Sequence, residues 1–251
     1  MRYVGSKNKL SKELAPIIQS YITDDTVAYI EPFVGGANMI DKIKHHKKIG
    51  SDAHKELIAL HIYNRDNSNL LPNTISEEEY INVRNNKEDY DLWYVGLVGF
   101  GATFGSKYFG GYARGFKADK ITPRDMSNES INNLKKQSPN IQDIDFKVAS
   151  FLDYNPNDYK NCVFYLDPPY RNTLQYSTGG FPYEEFDKWA IELAKNNTVL
   201  ISEYNMPENN FECIWSKDVK IAFSGQGDIK DKARIEKLFI VKSKEFADFL
   251  F

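Results

Sequence analysis

Cysteine is nearly absent: Cys162 and Cys213 are the only two among 251 residues, too few for a disulfide framework or a thiolate zinc site. The four histidines, His45, His46, His54 and His61, lack the acidic or cysteine companions of a metal motif, so they are expected on solvated or helix surfaces and no metal is expected. No apolar run reaches the ~18 residues of a membrane span. The polar start from Met1 to Leu10 lacks the apolar stretch of a secretory signal. Neither a G-K-[ST] phosphate loop nor a G-x-G-x-x-G dinucleotide fingerprint occurs. A basic excess is missing too, with a formal net charge of −3. A polyanion partner would therefore have to be met by local charge, because only the binding face needs to be basic.

What is present is an apolar framework with aromatic residues at 14%, enough for one α/β domain or one such domain with a smaller insert. Leu10, Leu14, Ile17, Ile18 and Tyr21 repeat at helical spacing across Pro16. Val27 to Ile30 reads as a buried strand ending in Glu31-Pro-Phe-Val-Gly-Gly36, after which helical spacing is expected from Met39 and Ile40. A short strand near Lys48 ends at Ser51-Asp52, and Leu57, Ile58 and His61 predict another helix. Further strands are predicted at 146–149, 163–166 and 198–201. A final antiparallel pair, 211–215 and 238–241, flanks a Gly225-Gln-Gly227 loop. This alternation predicts a Rossmann-like parallel sheet. A polar, partly helical stretch interrupts it, giving a discontinuous domain of 1–64 and 141–251 and an insert at 65–140.

Inside the insert, Gly99 to Lys117 holds six glycines, six aromatics, three cations and no acid. From Gly99 to Lys136 seven Lys/Arg face three acids, a balance of +4. Cations and aromatics without acids suit phosphates and bases, so a DNA-facing loop is expected, the alternative being a flexible structural one. A second basic cluster, Lys230, Lys232, Arg234 and Lys237, reads either as a solvated hairpin or as phosphate contacts.

Ligands of open parallel sheets bind outside the carboxyl ends of the strands, and three candidates fall there. Glu31 to Gly36 reads either as a tight turn or as a loop whose glycines let backbone approach a ligand. Asp52, 16 residues past Gly36, reads either as an acceptor for a ribose diol or as a helix N-cap. Asp167-Pro168-Pro169-Tyr170 is the most specific. An adenine N6 amine is a poor nucleophile because its lone pair is delocalised into the ring. A carboxylate and a rigidly aimed carbonyl can each accept one amine hydrogen and turn that lone pair toward an electrophilic methyl. The tyrosine offers a face for a base taken out of the duplex.

Four pieces in order, Tyr3-Val-Gly-Ser-Lys7, Glu31 to Gly36, Ser51-Asp52 and Asp167 to Tyr170, resemble the Dam-like (D12 class) DNA adenine-N6 methyltransferases. Val199 to Tyr204 looks like that family's strand after the tetrad. The resemblance implies an S-adenosylmethionine-dependent fold with a mostly helical target-recognition insert. It implies cofactor contacts at Tyr3, Lys7, Glu31, Phe33, Gly35, Asp52 and Asp167, with catalysis by Asp167, Pro168 and Tyr170. DNA contacts are expected at Lys107, Arg114, Lys117, Lys230, Lys232 and Arg234. Double-stranded DNA is the implied partner, with a cognate restriction endonuclease as a second candidate, for a monomer in the cytoplasm of a bacterial or phage-infected cell. The Gly/aromatic insert departs from bacterial Dam proteins and resembles phage and prophage members, which leaves GATC only the family's commonest target. An RNA adenine methyltransferase and a catalytically silent DNA-binding relative are the rival readings. Asp167 disfavours cytosine-N4 and glutamine specificities.

Overall fold

The computed structural model describes residues 1, 3–116, 118–171, 180–220 and 233–242. Lys117, Lys230, Lys232 and the Gly225–Gly227 loop lie outside them. The chain forms two compact units, residues 1–16 with 34–150 and residues 17–33 with 151–251. Helix α1 (Ser11–Ser20) carries Pro16 within it and buries Leu14 and Ile18, one turn apart.

In the first unit β2 (Lys48–Asp52) and β3 (Ile144–Val148) pair in parallel, with Gly50 opposite Phe146 and Asp52 opposite Val148. Helix α2 (Lys55–Asn67) buries Leu57, Leu60, His61 and Asn64, the spacing of one helical face. The helices that follow are α3 (Glu77–Asn85), α4 (Leu92–Gly96) and α5 (Met126–Gln137). Their N-termini are set by side-chain caps where the sequence provides them: Ser76 Oγ accepts the Glu79 N–H at 3.1 Å, and Asp125 Oδ1 accepts that of Asn128 at 2.8 Å. Tyr80, Val83, Val95, Ile131 and Leu134 share one apolar core with Leu57 and Leu60 of α2. The helices of 65–140 therefore bury their apolar faces together with α2. Helix α4 continues as a π-helical turn, Leu97–Gly101.

The second unit holds β1 (Tyr29–Glu31), β4 (Val163–Leu166) and β5 (Thr198–Glu203), paired in parallel as β1-β4-β5. The connection from β4 to β5 carries α6 (Tyr183–Leu193), which buries Phe186, Trp189, Ala190 and Leu193. A parallel pair needs a crossover of this kind. The edge is antiparallel: β7 (Ala233–Val241) lies between β5 and β6 (Phe211–Lys220), with a bulge between Cys213 and Trp215. The α/β, Rossmann-like class expected from the sequence is the one observed, and the β6/β7 pair is longer than its apolar pattern indicated.

Two expectations fail. No α-helix follows Gly36; the chain makes turns and one 3-10 turn, Ile40–Lys42, before β2. Met39, Ile40 and Ile43 are buried at helix-like spacing, but only 11 residues separate Gly36 from Lys48. Asn38 also diverts its side chain to the Met1 carbonyl at 2.9 Å and to Ser6 Oγ at 2.7 Å, a local competition that disfavours helix. The histidines are not all solvated either: His61 is fully buried, and His54 packs edge-on against Phe100 and Tyr108, with ring centroids 5.0 and 4.4 Å away.

Candidate functional site

In the first unit, residues 34–36 of the glycine motif form a turn tied to β2. Val34 N–H donates to Ser51 of β2 at 2.8 Å, and Ala37 N–H to the Val34 carbonyl at 2.8 Å. Gly35 sits at φ +46°, where a side chain would be strained. A Cβ there would also come within 2.9 Å of the Tyr3 ring. The glycine is thus required by the tyrosine of the N-terminal motif. Tyr3 in turn lies 5.6 Å from the ring of Phe100. Lys7, in a 3-10 turn capped by Ser6, is only 7% exposed and donates to the Gly5 carbonyl at 3.3 Å. A frayed terminus with solvated charge does not describe this segment.

Asp52 ends β2 and is neither a surface acid nor a cap of α2. Its Oδ1 accepts the His54 N–H at 3.0 Å and its Oδ2 the Gly35 N–H at 3.3 Å. Burial pushes its carboxyl above the ordinary aspartate range, against these two hydrogen bonds, which favour the charged form. Each oxygen retains acceptor capacity.

In the second unit the acids gather at the carboxyl ends of adjacent parallel strands. Glu31 closes β1, is buried, and accepts the Tyr29 hydroxyl at 2.6 Å. Two residues on, the Phe33 ring meets those of Phe151, Phe181 and Phe186, each at 5.8 Å. Asp167 follows β4 directly and is partly exposed, whereas Pro168 is buried. Tyr165, behind the tetrad, bonds Ser202 at 2.7 Å. Burial first, then the charge of Asp167, hold its phenol well above the ordinary range.

The Tyr170 hydroxyl donates to the buried carboxylate of Glu236 on β7, and its ring stands at 90° to that of Tyr204, 4.6 Å between centroids. Glu203, at the end of β5, accepts the backbone N–H of Arg171 at 2.9 Å and of Tyr204 at 2.7 Å. Burial pushes its carboxyl up to about 7. The Arg171 guanidinium reaches Asp187 at 2.5 Å and lies 5.1 Å from the Tyr183 ring.

The basic residues divide. Lys107 is exposed. Arg114 is exposed but paired with Glu77, its Nε 3.1 Å from Oε2. Around them the Gly/aromatic segment is part core: Phe100, Ala102 and Ala113 are buried, and a Cβ on Gly99 would lie 2.6 Å from Tyr108. Phe104 and Phe116 of the same segment are exposed. The Arg234 guanidinium sits 5.1 Å over the Tyr204 ring. Sequence reasoning missed Glu203, Glu236, Arg171 and His61. An acid closing an apolar strand was a visible signal for Glu203, whereas Glu236 lies in β7, a strand of alternating polarity paired on both sides, whose pattern carries none.

A family model for the D12 class N6 adenine-specific DNA methyltransferases matches residues 3–199. The Type II methyltransferase M.CviBI of Paramecium bursaria Chlorella virus NC1A is 30% identical over 201 residues, covering 73% of this chain and 75% of that protein. The crystal structure of SMU.472 complexed with SAH aligns at a TM-score of 0.38 and 13% identity, over 95% of this chain and 53% of that one, so the chain spans about half its length. The chain belongs to the D12 class N6 adenine-specific DNA methyltransferases.

Proposed function

We propose that this chain transfers a methyl group from S-adenosylmethionine to the N6 amine of adenine within a short specific sequence of double-stranded DNA. The observation that carries the reading is the tetrad: Asp167 stands partly exposed at the carboxyl end of β4, and a fixed aromatic ring follows three residues later. The sulfonium cofactor supplies, when bound, an activated methyl group. Asp167 accepts one hydrogen of the target amine and the Pro168 carbonyl, its direction limited by the proline rings, accepts the other. The amine nitrogen is thereby drawn toward tetrahedral geometry with its lone pair free to attack, and preorganised acceptors of this kind cost no reorganisation at the moment of reaction. Tyr170 offers its ring face to an adenine extruded from the helix.

The residues present suit the cofactor. Asp52 is a half-buried carboxylate with acceptor capacity left on both oxygens, as a ribose diol requires. Lys7 is a buried ammonium suited to a carboxylate end. Gly35, which leaves room for the Tyr3 ring, donates its N–H to Asp52. Glu31 and Phe33 add a buried acid and an aromatic surface in the second unit.

Residues 65–140 we assign to target recognition and 1–64 with 141–251 to catalysis. Lys107 and Arg114 are the described candidates for DNA contact in the insert, and Arg234 in β7. GATC is the first target to test, and a monomer in the cytoplasm, with or without a restriction partner, is the working form. Among the described residues no helix is long and apolar enough to cross a membrane.

Incubating the protein with methyl-labelled donor and either duplex DNA or RNA, then identifying the labelled nucleoside, tests the proposal. N6-methyladenine in DNA is expected. Label only in RNA, or none, would overturn it.

A further inference from the structure

The side chain of the tetrad tyrosine is held within the second unit. Its ring packs perpendicular to that of Tyr204 with centroids 4.6 Å apart, and its hydroxyl donates to Glu236. Glu236 lies 66 residues downstream, beyond the 3–199 stretch matched by the family, and is only 5% exposed. It sits on β7 two residues from Arg234, so strand alternation puts both side chains on one face. The contacts agree: Arg234 lies over Tyr204 at 5.1 Å while Glu236 takes the hydroxyl of Tyr170. Burying a carboxylate is costly unless hydrogen bonds offset it. Glu236 gains one such bond from the Tyr170 hydroxyl.

We propose that Glu236 is a positioning residue for methyl transfer, which fixes the orientation of the Tyr170 ring through its hydroxyl. The inference rests on the proposed reaction. The hydroxyl is committed to the protein and only the ring face meets the target base, so the loss of either partner frees the same rotation. With one charge-assisted hydrogen bond at stake, Glu236→Ala is expected to lower kcat roughly 10- to 100-fold. Its dissociation constant for S-adenosylmethionine should be unchanged. Glu236→Gln, which keeps an acceptor, should recover most of the rate. Tyr170→Phe should fall about as far as Glu236→Ala, and the double variant no further, because the two act as one unit.

The second measurement needs no turnover. Tyrosine labelled with 13C at Cζ gives a resonance for Tyr170, identified by its loss in Tyr170→Phe, and this resonance should move in Glu236→Ala and lie near the wild-type position in Glu236→Gln. An unmoved resonance in Glu236→Ala overturns the inference whatever the activity. So does a Glu236→Ala loss that persists in full on the Tyr170→Phe background. If the resonance moves but wild-type protein methylates no adenine, the reaction assignment has failed while the contact stands, and the positioning role fails with the reaction.

Discussion

His61 Nε2 lies 2.7 Å from the carbonyl oxygen of Gly35, in a pocket where the histidine is fully buried and its ring stacks on Phe146 at 5.0 Å. A carbonyl only accepts, so Nε2 carries the hydrogen, and Nδ1 has no hydrogen-bond partner among the described residues. The peptide N–H of the same glycine reaches Asp52. A helix side chain thus anchors the left-handed turn that orients the proposed ribose acceptor.

Burial holds the His61 imidazole down at about 4, below its ordinary value near 6.5. The unfolded chain takes up this proton as pH falls below about 6.5, and the folded chain does not until about 4. The contribution to stability is therefore complete above 6.5 and is lost as pH falls from 6.5 to 4. At full extent it amounts to about 3 kcal/mol. His61→Phe keeps the ring but removes both the titration and the donor to Gly35. Denaturant unfolding is expected to show lower stability than wild type at pH 7, by ~1–3 kcal/mol, and a flatter pH dependence between 6.5 and 4. An unchanged pH dependence would show that His61 is not the group responsible.

Asp52→Ala and Lys7→Ala should each raise the dissociation constant for S-adenosylmethionine about ten- to a hundredfold, since each removes a charge-assisted hydrogen bond. Calorimetry on DNA-free protein measures this directly. Unchanged affinity in both variants would mean that the N-terminal motif and the acid ending β2 serve only the fold.

Much of this was legible in the sequence, for identifiable reasons. β4 is a continuous apolar run punctuated by two prolines, so its limits and the tetrad could be read to the residue. The segment after Gly36 was misread because buried Met39 and Ile40 imitate helical spacing while Asn38 spends its amide on the chain's first residues. Tyr170 was legible as a ring; its hydroxyl's partner was not, since Glu236 meets it only through β7 pairing beside β5. His61 looked like a surface residue because α2 buries a polar side chain that finds its acceptor 26 residues upstream. Such pairings are properties of tertiary packing, and local pattern carries no trace of them.

The Gly/aromatic segment gives a test of DNA binding. Replacing Lys107 by Ala should weaken binding to all duplexes and lower the slope of log affinity against log salt by about one. Arg114 already pairs with Glu77, so Arg114→Ala should change the slope less, and Glu77→Gln, which frees Arg114, should tighten binding. Loss of discrimination at a single base pair, costing ~1–3 kcal/mol, would instead assign that side chain to base readout. If all three variants bind as wild type does, this surface is not the DNA-facing one.

Asp167 bears the central claim, and the rate of methyl transfer by Asp167→Ala tests it most directly. Single-turnover incorporation into duplex DNA should be followed at saturating donor, with folding checked by thermal melting. The expected result is a folded protein slower by at least ~10²–10³, the cost of losing one preorganised acceptor. A folded Asp167→Ala protein that still deposits N6-methyladenine at close to the wild-type rate would contradict the assignment.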